Sequence, residues 1–173
     1  QEPASDAQNE LRKVFGNADT RPVAEAVADM AVREERPEER RNLQAVVAAL
    51  EGGAIVETLA ERIRTAEREE DLQPWLELLA GVSRPSNVPA LGNLLLDDSR
   101  VAVQETVAAA LAGIGDGQAC RLLADFGTEI PACRAALARV RSPYAETALR
   151  EIAAGDPDAG VRAAASQALA GRE

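Results

Sequence analysis

Apolar residues recur along this chain at helical spacing, in segments that each end on a leucine. The five leucines are Leu50, Leu79, Leu111, Leu137 and Leu169. The residues one and four positions before each leucine are small or apolar too, and positions with that spacing share one face of a helix. The pattern predicts five helices at about 38–51, 71–80, 100–113, 130–140 and 159–170.

Five further amphipathic stretches lie between these helices, and each follows a breaker that contains Pro or Gly. Their apolar positions are Val23, Val27 and Met30; Ile55, Leu59 and Ile63; Val88, Leu91, Leu94 and Leu95; Leu122, Leu123 and Phe126; and Ala145, Leu149 and Ile152. The alternation predicts helix–turn–helix units at about 21–52, 53–83, 86–115, 117–141 and 143–173. Residues 1–20 are expected to form a polar segment with a capping helix at about 4–15.

Two segments of the chain repeat one sequence pattern. DDSRVAVQETVAAALAGIG at 97–115 and GDPDAGVRAAASQALAG at 155–171 both run from an acidic turn to Leu-Ala-Gly. Superposition pairs Asp98 with Asp156, Val103 with Val161, and Gly113 with Gly171. A repeat with a period of tens of residues predicts an array of stacked units.

This motif resembles the second helix of HEAT-like repeats, in particular the short repeats of about thirty residues found in phycobiliprotein lyases. The family pattern is a D-P or D-D turn, then V-R, A and A-L-G; Gln104 stands where the family usually has Arg. The resemblance implies an all-α fold, an α-solenoid of about five antiparallel helix pairs whose second helices line a concave face. It also implies a role in protein–protein contact.

The composition narrows the possible functions. The net charge is −10, without a basic stripe, and such a chain repels phosphate backbones, so we expect no nucleic-acid partner. No apolar run has membrane-spanning length. The chain has no histidine and no glycine-rich phosphate loop, which removes His-dependent catalysis and nucleotide-binding motifs. We expect no enzyme activity, no metal and no cofactor.

The acidic turns are interpreted as helix caps. Asp156 and Asp158 in DPDAG lack the long ligand run of a calcium loop, so capping of free N–H groups is the favoured reading. Asp97, Asp98 and Asp116 are interpreted in the same way.

The polar residues that follow Val103 and Val161 are candidates for partner binding. Gln104 and Arg162 are expected on the concave side, with Arg134 and Ser166 beside them; an ordinary solvated face has the same pattern. Trp75 occupies an apolar stripe position, as a core residue or as an exposed binding anchor.

Cys120 and Cys133 are the only cysteines. Two cysteines close in sequence predict a disulfide in an oxidising compartment; the alternative is a pair of buried thiols in a cytosolic protein. The chain begins at Gln1 with a polar segment, as an exported protein does after loss of its signal peptide, and as a trimmed chain does too. We expect export, with the cytoplasm as the alternative.

Three functions compete. The first is a non-catalytic binding module or accessory subunit that uses the concave face or a repeat end. The second is a structural or self-assembling spacer, and the third is a cofactor-handling protein of the bilin lyase type, for which the chain is poor in aromatic residues. We favour the first.

Overall fold

The computed structural model describes residues 21–50 and 53–172, and the regular structure within them is all helical. The helices are α1 (Arg21–Arg33), α2 (Pro37–Ala49), α3 (Ala54–Thr65), α4 (Glu69–Ala80), α5 (Val88–Asp97), α6 (Val101–Ile114), α7 (Gly117–Gly127), α8 (Pro131–Arg139), α9 (Pro143–Gly155) and α10 (Ala159–Ala170). The all-α prediction is confirmed. The five helices predicted from the leucine spacing match the even-numbered helices to within two residues at each end. The predicted capping helix at about 4–15 lies outside the described residues.

The helices pack in two series. Each odd-numbered helix contacts the next odd-numbered helix, from α1 to α9, and each even-numbered helix likewise contacts the next, from α2 to α10. Within α1–α2, α3–α4, α5–α6, α7–α8 and α9–α10, the two consecutive helices also pack on each other. One side of the molecule is therefore built from odd-numbered helices and the other from even-numbered helices.

Neighbouring helices of one series run in the same direction, because equivalent ends meet. At the start of α7, a Cβ added to Gly117 would lie 3.3 Å from Cδ1 of Tyr144, near the start of α9. At the end of α6, a Cβ added to Gly113 would lie 3.2 Å from Oγ of Ser83, just after α4. The helix ends are therefore collected at two edges of the molecule, where their free carbonyl and N–H groups need partners.

The core follows the leucine spacing. Leu79, Leu111 and Leu137 are completely buried, whereas Leu50 and Leu169, near the two ends of the described chain, are half-buried. The predicted apolar faces of α3 and α5 are buried along their whole length; their residues are Ile55, Leu59, Ile63, Val88, Leu91, Leu94 and Leu95. Leucine side chains between the two series thus supply most of the large buried surface.

The predicted apolar face of α1 is wrong in part. Met30 is 56% exposed and Val23 is only half-buried, whereas Ala24, Ala28 and Ala31 are buried. The helix turns its alanines inward because small side chains allow closer packing of the helix backbones, and the larger apolar residues lie beside that face. A hydrophobicity pattern alone weighs the larger side chains more heavily and so places the face incorrectly.

Several helices begin at a residue suited to that position. Pro occupies the first helical position of α2, α8 and α9, where no backbone N–H is required. Asp116 caps α7 by accepting from Ala119 N at 2.8 Å, and Asp158 caps α10 by accepting from Gly160 N and Val161 N. The capping role predicted for Asp116 and Asp158 is therefore confirmed.

Candidate partner-binding surface

Arginine side chains occupy the edges where the helices end. Arg100, just before α6, donates from Nη2 to the Ile63 carbonyl at 2.8 Å and from Nη1 to the Ala66 carbonyl at 3.1 Å. Both carbonyls belong to the end of α3. The same guanidinium pairs with Asp98, whose Oδ2 lies 2.6 Å from Nη2. This pairing holds the pKa of the Asp98 carboxyl below its usual value, chiefly through the side-chain hydrogen bond.

Two further arginines do the same at the ends of even-numbered helices. Arg84 donates from Nε to the Ala48 carbonyl at 3.5 Å, near the end of α2. Arg172 donates from Nη2 to the Leu137 and Ala138 carbonyls at 3.1 and 3.2 Å, at the end of α8. Each side chain comes from the segment that follows the next even-numbered helix. A cation near unsatisfied C-terminal carbonyls is favourable both as a hydrogen-bond donor and toward the helix dipole.

The predicted binding residues Arg134 and Arg162 also donate to backbone carbonyls. Arg134 Nη1 lies 3.1 Å from the Gly127 carbonyl at the end of α7, and Arg162 Nη1 lies 2.6 Å from the Asp156 carbonyl after α9. The backbone N–H groups of Val161 and Gly160 lower the pKa of the Asp158 carboxyl, and the charges of Arg134 and Arg162 act in the same direction. Arg134 and Arg162 occupy equivalent positions near the starts of α8 and α10, two helices that pack on each other.

Ser166 and Gln104 lie on the same series of helices. Ser166 is exposed, and its hydroxyl donates to the Arg162 carbonyl at 2.9 Å within α10. Gln104 is half-buried on α6. Because α4, α6, α8 and α10 pack in series, all five predicted residues lie on the even-numbered side of the molecule, and these four lie on its last three helices.

The surface around these four residues is rich in alanine. The fully exposed residues of α6, α8 and α10 include only two charged side chains, Glu105 and Arg139. At least one exposed alanine lies on each of the three helices; examples are Ala109, Ala135 and Ala163. We call this surface the α6–α8–α10 face. Its low charge contrasts with the acidic character of the whole chain.

Trp75 lies apart from this group, in a contact between three helices. It is half-buried on α4, and the guanidinium carbon of Arg62 on α3 lies 5.9 Å from the centroid of its ring. Arg62 Nη2 in turn pairs with Asp29 Oδ2 of α1 at 2.9 Å. The tryptophan packs against the hydrophobic core, which favours the core reading over an exposed anchor.

The predicted disulfide between Cys120 and Cys133 is wrong. Both thiols are free and buried, and the sulfurs are not within bonding distance. Cys120 on α7 lies near Ser142 Oγ at 3.8 Å and the Gly115 carbonyl at 3.6 Å, whereas Cys133 lies on the buried face of α8. The turn between two antiparallel helices separates them along the helix axis. The cysteines therefore give no support to export.

Burial also suppresses the chemistry of both thiols. Desolvation raises the pKa of Cys133 to about 11 and also raises the pKa of Cys120. A thiol is nucleophilic only as the thiolate, so neither group is activated at neutral pH. Within the described ranges, no group of three or more His, Cys, Asp or Glu residues is placed to hold a metal ion.

Sequence reasoning missed two features. The first is the set of arginine-to-carbonyl contacts at helix ends. The second is a groove between α7 and α9 that contains Tyr144, whose side chain is 59% exposed. For both, the available signal was weak: arginines close to predicted helix ends, and a tyrosine just after Ser-Pro.

Comparison with known proteins identifies no relative: no protein-family model matches the chain, and no curated protein matches it significantly. Among the described helices, none alone is long and apolar enough to cross a membrane, and α2 with α3 meet that criterion only together, across a bend of 119°.

Proposed function

We propose that this chain is a HEAT-like α-solenoid that acts as a non-catalytic protein–protein interaction module, an accessory or scaffold subunit of a larger complex. The serial packing of odd- and even-numbered helices supports the solenoid. So does the repeated turn: Asp98 and Asp156 are both buried, and each accepts the backbone N–H of the residue two positions later. The equivalent aspartates of the two repeats thus make one local structure.

The observation that carries the functional proposal is the low charge of the α6–α8–α10 face. Arg134 and Arg162, its half-buried cations, each donate to a backbone carbonyl. A partner that approaches this face therefore meets small side chains with few charges to desolvate. Alanine on adjacent helices lets another backbone come close, which suits a helix or an extended peptide.

The partner residues proposed on this face are Gln104, Arg134, Arg162 and Ser166. Gln104 and Ser166 offer hydrogen-bonding groups beside the exposed alanines. Trp75 stays a candidate through the part of its ring that is exposed on α4, because the core and Arg62 cover the rest.

Site-specific photo-cross-linking in the native cells tests this proposal. A benzophenone amino acid replaces Ala109 on α6 or Ala135 on α8, and Asn93 on α5 serves as the matched exposed control. We expect one protein to be cross-linked stoichiometrically from Ala109 and Ala135 and not from Asn93. Cross-links to no protein, or equally from all three positions, contradict the proposal.

One observation favours a second candidate, a self-assembling spacer. Leu169 on α10 is half-buried, whereas the equivalent Leu111 and Leu137 are fully buried, so the apolar stripe of α10 is partly open. Stacking of a second copy on α10 would cover it. Cross-links from Ala163 that join two copies of the chain, together with a larger mass by light scattering, would support this candidate over the first.

A further inference from the structure

A groove runs between α7 and α9 on the odd-numbered side of the molecule. Its volume is about 560 Å³. The more buried residues of its lining are Gly117, Ala124 and Ala148, which have small side chains or none, and this explains why the two helices leave a space between them. The groove is separate from the α6–α8–α10 face, since it is built from helices of the other series.

One end of the groove carries an exposed aromatic ring. Tyr144 is 59% exposed, and its ring lies beside the backbone of Gly117, where an added Cβ would come within 3.3 Å. An exposed tyrosine held against backbone supplies a rigid contact surface with little entropy left to lose, which is typical of residues that dominate binding energy.

The charged residues of the groove lie in a fixed order beyond this ring. Arg121 is one helical turn past Gly117, and Asp125 is one turn further along α7. Glu151 is about two turns past Tyr144 on α9. Because α7 and α9 run in the same direction with their starts in contact, Asp125 and Glu151 lie at the same level. The groove thus presents a ring, then a cation, then two carboxylates.

These charges are not used by the fold. Arg121, Asp125 and Glu151 are all exposed, and none of their side chains makes a hydrogen bond or ion pair within the described part of the chain. Most other arginines, by contrast, donate to carbonyls or carboxylates. These three charged side chains can therefore pair with the charges of a partner.

We propose that the α7–α9 groove binds an amphipathic helix of a protein partner. That helix carries an apolar side chain against Tyr144, an acidic side chain against Arg121, and a basic side chain against Asp125 and Glu151. This inference rests on the proposed role as a binding module and assigns to it a second surface and a partner chemistry.

The spacing of the groove favours a helix over an extended strand. Its three contact levels are about one helical turn apart, so residues four positions apart on a partner helix meet all three. An extended peptide places successive same-side residues about 6.6 Å apart, farther than the turn of about 5.4 Å, and so drifts out of register along the levels. The groove carries both signs of charge. Its cation repels a uniformly basic partner and its two carboxylates repel a uniformly acidic one.

A synthetic helix tests the inference directly. The probe is an alanine-based peptide of about 18 residues that carries Leu, Glu and Arg at successive four-residue spacings and a terminal fluorophore. Fluorescence anisotropy at low ionic strength measures binding, and backbone NMR shifts locate the site. We expect saturable binding with shifts confined to α7 and α9.

Groove variants give the sharper result. Tyr144→Ala should weaken binding by at least about tenfold. Replacement of both Asp125 and Glu151 by Arg should abolish binding of this probe and confer binding of a probe in which the Arg is Glu. The control Glu77→Gln, exposed on α4 and outside both proposed surfaces, should change nothing. Unchanged thermal melting by circular dichroism shows that each variant is folded.

The inference is overturned if binding does not saturate at a millimolar concentration of the probe, or if the shifts lie outside α7 and α9. It is also overturned if the probe in which the Arg is Glu binds the unmodified protein equally well. These results are independent of the cross-linking from Ala109 and Ala135. If the peptide does not bind, only the groove proposal is contradicted. If the cross-linking fails, only the α6–α8–α10 proposal is contradicted, and peptide binding still tests the groove.

Discussion

Arg100 Nη2 lies 2.8 Å from the carbonyl oxygen of Ile63, so the start of α6 is held to the end of α3, which lies earlier in the chain. The same guanidinium holds the buried Asp98. One side chain therefore donates to a carboxylate that is 7% exposed and to two carbonyls at the end of α3, of which that of Ile63 also accepts Ala66 N at 3.2 Å. This contact joins α3 to the segment between α5 and α6 through polar groups.

Replacement of Arg100 by Ala should lower the free energy of unfolding by about 1–2 kcal/mol, because the carbonyls of α3 and the Asp98 carboxylate lose a charged donor. The estimate is kept low because the Arg100 side chain is 38% exposed, and water replaces part of the loss. Urea melts of the two proteins give the difference. Arg139→Ala on α8, an exposed arginine without a bonded partner in the described chain, should stay within about 0.5 kcal/mol of the parent. Equal losses of unfolding free energy in the two variants would show that the hydrogen bonds of Arg100 do not stabilise the fold.

Leu111→Ala should cost about 2–5 kcal/mol, because the side chain is completely buried between helices and its removal leaves a cavity. The matched variant is Leu169→Ala, at the equivalent position of α10, where the leucine is half-buried. It should cost clearly less, and chemical denaturation followed by circular dichroism measures both. Similar losses would mean that the burial of the leucine stripe is uniform along the array.

Acid should weaken the protein partly through Asp98. Arg100 lowers the pKa of Asp98 in the folded protein below its usual value of 3.8, so the unfolded state takes up the proton first as the pH falls. The stabilisation is therefore complete above about pH 4–5 and is lost as the pH falls through the folded pKa.

Asp98→Asn isolates this effect, because the amide oxygen can still accept the N–H of residue 100 while the charge is removed. Unfolding free energies of the parent and the variant should differ at neutral pH and converge as the pH falls below 3.8 and through the folded pKa of Asp98. A difference that does not change over this range would show that the charge of Asp98 contributes nothing.

Both cysteines should resist alkylation in the folded protein. At pH 8, iodoacetamide should modify neither thiol within the time that labels both in denaturant, because burial raises the pKa of Cys133 to about 11 and also raises that of Cys120. Mass spectrometry counts the modified sites. A native mass lower by two protons, or faster migration of the unreduced protein, would reveal a disulfide instead.

The helices were predictable because each unit repeats one apolar stripe. Leu79, Leu111 and Leu137 lie in the core as their spacing predicts, and the caps at Asp116 and Asp158 follow from local hydrogen-bonding chemistry. Such features depend on neighbours within a few residues, which the sequence displays directly. The face of α1 was missed because close packing of alanines there outweighs the larger side chains.

The orientations of the arginines could not be read in this way. Helical spacing places Arg134 and Arg162 on their helices correctly, but each side chain has several rotatable bonds and turns to carbonyls at the end of a neighbouring helix. Those acceptors lie seven and six residues earlier in the chain, whereas Arg84, Arg100 and Arg172 reach carbonyls 35 to 37 residues away. The groove at Tyr144 likewise depends on two helices that are separated by a third, so its charge order exists only after folding.

Because arginines join helix ends, the fold is sensitive to reagents that modify guanidinium groups. Reactive dicarbonyls such as methylglyoxal condense with guanidinium groups, and here they would attack the side chains that join one part of the array to the next, among them Arg84, Arg100 and Arg172. Amine-directed sugars and esters find Lys13 as the single lysine, outside the described helices. The protein is thus exposed to one class of glycating reagent and almost indifferent to the other.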